Sequence, residues 1–180
     1  MNTQASLSAL EETVSYYLEQ LQRIGEEQLS LRPSEEEWSL GQLYNHLIGA
    51  TQYMSLRNIG LCREGDKETI VVGGAKSEAG EAVFRNGGFP DAKISVPPSP
   101  QYTPRQPNGK EELSEGLLGI VRQMRDIEPT LREISPENAA NHPRLGALTA
   151  KEWFQLVEMH FRHHLKQLHR LQQFAGIGAS

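Results

Sequence analysis

His160-Phe161-Arg162-His163-His164 is the stretch of this chain densest in groups that do chemistry. His160 and His164 are four residues apart, so on a helix they project from one face. An earlier stretch carries His46 on its own apolar stripe, between Leu43 and Ala50. A lone histidine on an apolar face is usually a core residue bonded to a neighbour. A pair one turn apart is different, because burying two imidazoles is costly unless every nitrogen finds a partner. A shared transition metal ion satisfies them together and leaves positions for water or substrate. His46, His160 and His164 are therefore the candidate metal ligands.

The other histidines fit less well. His163 is three residues after His160 and competes for the same face. The stripe through Trp153, Val157, Leu168 and Leu171 centres between His160 and His164, however, and leaves His163 on the flank. His169 lies off the stripe and reads as solvated. His142 precedes Pro143 in a turn and reads as a loop histidine that could line a pocket.

Ligand type alone admits zinc, nickel, copper, iron or cobalt. Such an ion pulls the pKa of a bound water or thiol down, making a nucleophile of either. The helix brings no built-in base, since Phe161 follows His160 where a zinc protease would carry Glu. Glu158, two residues before His160, is expected to point away. There is no Gly-x-Ser-x-Gly elbow and no phosphate-cradling loop ending in Lys-Ser/Thr. The single cysteine, Cys62, excludes an intrachain disulfide and a cysteine-rich zinc site. With Leu61, Arg63 and Glu64 around it, it reads as a bystander thiol. That usage fits a reducing, cytoplasmic setting.

The elements that must position these groups follow from apolar spacing. Leu7, Leu10, Val14, Tyr17, Leu18, Leu21 and Ile24 predict a helix from about Ser6 to Glu27, broken by Arg32-Pro33-Ser34. Ser39 with Gln42 is a capping-box pattern, with Trp38 as its hydrophobic staple, and opens a second helix that ends before Gly65. A third begins after Asn108, with Glu111 completing a cap. It carries Leu113, Leu117, Ile120, Met124 and Ile127, and Pro129 kinks or ends it. Asn141 to Gly146 is a turn, and Thr149 with Glu152 caps the fourth helix.

Residues from about Arg63 to Asn108 form a long irregular insert rich in Gly-Gly pairs and prolines. Within it Ser77 to Arg85 suits a short helix and Thr69 to Val72 an extended segment; a loop of this length is usually functional. The pattern predicts an all-α four-helix bundle, a single domain over residues 1–180. The long crossover leaves the bundle's topology open.

Bulk properties narrow the partners. A formal charge of −5 with dispersed basic residues argues against a nucleic-acid or anionic-membrane binder. Arg162, Lys166 and Arg170 form one basic edge, spaced as the solvated face of a helix. No segment approaches the roughly 20 apolar residues needed to span a bilayer. The polar residues Met1 to Ser8 do not read as a signal peptide.

Three motifs resemble one family. Trp38-Ser39-Leu40-Gly41-Gln42-Leu43-Tyr44-Asn45-His46-Leu47 resembles the second-helix motif of the DinB-like (YfiT-type) superfamily. His142 to Trp153 resembles the entry to that family's last helix. His160-x-x-His163-His164-x-x-Gln167 resembles its His-x-x-x-His-x-x-Gln ending. The family often has Arg where His163 stands here, and the insert matches poorly.

The resemblance implies an up-down-down-up bundle, often a homodimer. It implies a divalent metal, commonly nickel or zinc, on the positions of His46, His160 and His164, with Gln167 orienting a ligand or the pocket. It implies a small-molecule substrate and no role for DNA. Three functional readings follow: a thiol-dependent S-transferase using a low-molecular-weight thiol, a hydrolase using metal-bound water, and a non-catalytic metal-binding or dimerisation module.

Overall fold

Apolar residues at helical spacing build most of the chain into helices, as the sequence predicts. The computed structural model describes residues 2–90 and 103–178. Helix α1, Thr3–Arg23, starts three residues before its expected position because the Asn2 side chain caps it, accepting from the Ala5 N–H at 2.7 Å. Its buried face is Leu10, Val14, Tyr17 and Leu21. A short helix, α2 (Glu26–Ser30), follows.

Helix α3, Leu40–Ala50, opens with the predicted capping box. Ser39 Oγ accepts from the Gln42 N–H at 3.1 Å, and Gln42 Oε1 accepts from the Ser39 N–H at 3.0 Å. It runs into a π-helical turn, Thr51–Leu56, and then α4, Arg57–Glu64, which stops at a left-handed Gly65. The π-turn and α4 both pack against the last long helix, α7 (Ala150–His163). Helix α6, Lys110–Ile127, passes into a 3₁₀ turn, Glu128–Glu133, where Pro129 ends the α-helix. The expected Asn108–Glu111 cap does not form. Gly109 takes the cap position, and Glu112 reaches back to the Asn108 N–H at 2.7 Å.

The insert carries regular elements in its first part, and its residues 91–102 lie outside the described residues. Its first part contains β1 (Val71–Val72) and α5 (Glu78–Asn86), the short helix that the sequence suggests over Ser77 to Arg85, with Ser77 as its cap. One element escaped the sequence reading: β2 (Asn138–His142) and β3 (Gly146–Thr149) form a hairpin, and β1 extends it to an antiparallel sheet in the order β1-β2-β3. The expected turn is the three-residue loop of this hairpin, which closes on Gly146 at φ +78. A Cβ there would sit 2.4 Å from the Ser77 nitrogen, so glycine is required for conformation and for space.

The core runs between α1, α3, α6 and α7. Leu43, Leu47, Leu113, Leu117, Ile120, Trp153, Phe154 and Phe161 are all fully enclosed. The last helix is interrupted: α7 ends at His163 and α8 (Leu165–Phe174) begins beyond His164. No described helix is long and apolar enough to cross a membrane.

Candidate metal centre

His46 projects from the second turn of α3, His160 from the last turn of α7, and His164 from the joint between α7 and α8. Each element is held in place locally. The Tyr44 hydroxyl donates to the Tyr17 carbonyl at 2.8 Å, and the Tyr17 hydroxyl donates to the Phe161 carbonyl at 3.0 Å. These two buried phenols tie α3 to α1, and α1 to the turn that carries His160. At the joint His164 has φ −81 and ψ −3, yet its carbonyl still accepts from the Leu168 N–H at 2.9 Å. The break therefore re-aims the side chain without losing that backbone bond.

The three imidazoles meet. His160 Nε2 is 3.0 Å from His46 Nε2 and 3.1 Å from His164 Nε2. One potential ligand atom from each lies within 4.8 Å of the others, and no further His, Cys, Asp or Glu among the described residues joins them. Gln167 Oε1 lies 2.8 Å from His164 Nδ1. An amide oxygen only accepts, so the His164 proton sits on Nδ1 and its Nε2 presents a lone pair.

That tautomer decides what the cluster can be. A neutral Nε2 carries either a proton or a lone pair. If His160 offers a lone pair, it faces another on His164. If it offers a proton, one N–H must serve two acceptors. A cation facing three lone pairs resolves the conflict. Two nitrogens each ~2.1 Å from a shared ion are about 3.0 Å apart at a right angle and about 3.4 Å apart at a tetrahedral angle. The observed separations fit the former.

Electrostatics keep the set uncharged at neutral pH. Burial, then His164, pushes the His46 pKa down to about 3. Burial pushes His164 down to about 4, although its bond to Gln167 works the other way. His160 is held well below its ordinary value by burial and then by His46 and His164. Neutral imidazole is the form that binds a metal.

Trp38 and the described parts of the insert flank the site. Trp38 lies against His46, with ring centroids 4.7 Å apart. Gln42 Nε2 donates to the Pro104 carbonyl at 2.8 Å and Asn45 Nδ2 to the Arg105 carbonyl at 2.9 Å, pinning the end of the insert beside His46. On the other side Phe89 approaches His160 and His163, at 6.3 and 5.2 Å between ring centroids.

A family model for the DinB superfamily matches residues 9–168. The chain belongs to the DinB superfamily. No curated protein matches it. A helical fold that brings three histidines to a possible metal site is what membership in the DinB superfamily leads one to expect.

The remaining expectations divide. His163 stays outside the cluster, as its flank position predicts. His169 is exposed, but its Nε2 pairs with the Tyr16 hydroxyl at 2.8 Å. Cys62 is buried, and burial pushes its thiol up to about 11, so it is no nucleophile. His142 is not a plain loop residue: it ends β2, lies 5.4 Å from the Trp153 ring, and accepts from the Arg144 and Leu145 N–H groups through Nδ1.

The basic edge is not simply solvated. Arg162 pairs with the buried Glu158, and Arg170 Nη2 lies 2.5 Å from Glu37. Phe89 and the Trp38 contact were missed. Only the Gly-Gly-Phe order hints at the first, and the eight-residue spacing of Trp38 to His46 carries no helical signal because Trp38 precedes the helix.

Proposed function

We propose that this protein is a metal-dependent enzyme in which His46, His160 and His164 hold a nickel or zinc ion, and that it joins a low-molecular-weight thiolate to an electrophilic carbon of a small substrate: the new C–S bond replaces the bond to a leaving group, which departs as its anion, and the thiol proton goes to solvent. The observation that supports it is the convergence of three Nε2 atoms with the His164 tautomer set by Gln167. When bound, the ion supplies Lewis acidity that deprotonates a thiol near neutral pH.

The chain's own residues then have separable roles. Gln167 keeps the His164 lone pair inward. Tyr17 and Tyr44 fix the helices that carry His46 and His160. Trp38 and Phe89 exclude water from the flanks of the imidazoles. The carboxylates on α7 are engaged elsewhere, so the nucleophile that the ion activates works without a carboxylate base. Glu158 is held by Arg162, and Glu152 by Lys76 at 2.6 Å and by the Thr149 cap. A thiol that has lost its proton needs no further base.

The test is turnover by untagged protein, stripped and reloaded with nickel or zinc, given bacillithiol, glutathione or mycothiol with 1-chloro-2,4-dinitrobenzene. Metal-dependent, thiol-dependent product is expected. Silence with every thiol overturns the transfer reading, and thiol-independent ester cleavage by the loaded protein points to hydrolysis instead. A homodimer belongs to the same reading, and sedimentation equilibrium checks it.

A further inference from the structure

Beside the histidine cluster, Phe89, Met159, Arg162, His163 and Lys166 line a cleft of about 220 Å³. One side of it is α7 and the other is the Gly87–Pro90 loop of the insert. The separation of the two sides is set by a single guanidinium. Glu158 is 2% exposed, and a buried carboxylate needs a fixed partner. Arg162 supplies it with two bonds, Nε to Oε1 at 2.7 Å and Nη2 to Oε2 at 3.0 Å.

The same Nη2 donates to the Gly87 carbonyl at 2.6 Å, so the loop is strapped to the helix. A Cβ on Gly88 would come within 3.1 Å of Arg162 Nη1, so the guanidinium lies close against the loop backbone there. Phe89 follows directly, its ring centroid 6.3 Å from that of His160 and the two planes inclined at 63°.

The cleft faces its occupant with an aromatic ring and a thioether on one part and with Arg162, His163 and Lys166 on the rest, a lining that suits a flat ring carrying a polar substituent. A cavity of about 150 Å³ is enough to hold benzene. A space of about 220 Å³ therefore takes one substituted ring. We propose that this cleft receives the non-reacting end of the substrate, a single ring carrying a polar substituent, with Phe89 as the specificity-determining wall and Arg162 as the positioning residue that holds the wall. The proposal rests on the metal reading only in placing the reacting end at the histidines.

The experiment uses the metal-free full chain with methyl-labelled methionine, titrated with 4-fluorobenzyl alcohol and followed by NMR. The Met159 methyl resonance is expected to move saturably while Met54 and Met124 stay in place. Phe89→Ala weakens the affinity roughly fivefold or more, from the loss of one aromatic contact and its area. Arg162→Lys keeps a positive charge beside Glu158 but loses the second arm of the strap, and weakens it about threefold.

Should Arg162→Lys fail to fold, the double variant Glu158→Gln/Arg162→Met removes the buried charge with its partner and carries the same readout. A Met159 resonance that does not titrate, or an affinity untouched by Phe89→Ala, overturns the proposal. A chain that binds no metal but still titrates at Met159 keeps the ring subsite and loses the metal chemistry.

Discussion

His142 and the trio of His46, His160 and His164 are all histidines kept neutral by burial, yet they are built to opposite ends. At His142 the acceptor nitrogen is answered by backbone, from the Arg144 and Leu145 N–H groups, each at 3.1 Å. Its work is finished within the hairpin. In the trio the nitrogens are aimed at one another, and among the described residues no backbone group answers the three Nε2 atoms. The difference is not one of depth or charge, since burial lowers His142 to about 4 just as it lowers His164 to about 4. It lies in what each lone pair faces. A histidine's role is read from its nitrogen's partner.

That contrast is breakable. The largest effect is expected from the metal itself. Nickel or zinc at a thousandfold excess over Kd stabilises the wild type by about 4 kcal/mol. The His160→Ala protein, measured by urea denaturation with and without the ion, gains almost nothing. Next comes Gln167→Leu, which frees the His164 ring to take the wrong tautomer. A loss of about 10- to 100-fold in metal affinity is expected by competition with a chromophoric chelator. An unchanged affinity would show that the tautomer is set by something else.

His142→Ala should behave in the opposite way. It strands two backbone donors and lowers folding stability by about 1–3 kcal/mol, while metal content stays at the wild-type level.

Acid sharpens the comparison further. His142, His46 and His164 have folded pKa values below the ordinary 6.5, so the unfolded chain takes up protons first as pH falls. The metal-free protein is therefore at full stability above about pH 6.5 and loses it as pH falls toward 4. His142→Ala reduces the slope in that window by one proton, as potentiometric titration coupled to denaturation will measure. The smallest effect concerns Cys62. It should resist a disulfide reagent in the native state until the chain unfolds.

How much of this was legible beforehand depends on which physics set each feature. The helices and both capping boxes, Ser39 with Gln42 and Thr149 with Glu152, were readable because local spacing and short-range hydrogen bonds determine them. The three histidines were readable for the same reason: each lies on an apolar stripe. The β2–β3 hairpin was not, because Asn138–His142 has no β-branched residue and no alternation. Its strand character comes from pairing with β1 and β3, which is long-range.

The break at His164 was equally hidden, since Leu165 to Phe174 continues the helical pattern. Glu158 and Arg162 stood at i,i+4 spacing and could have been read as a pair. Nothing local says that the pair is buried or that Arg162 also reaches Gly87. Phe89 becomes a wall only through that reach.

Elemental analysis of untagged protein tests the central claim most directly, comparing the wild type with His46→Ala, His160→Ala and His164→Ala after identical loading with nickel or zinc and desalting. The account predicts one tightly held ion per chain in the wild type and almost none in each of the three variants. A wild type that retains no ion, or variants that retain as much as it does, would contradict it.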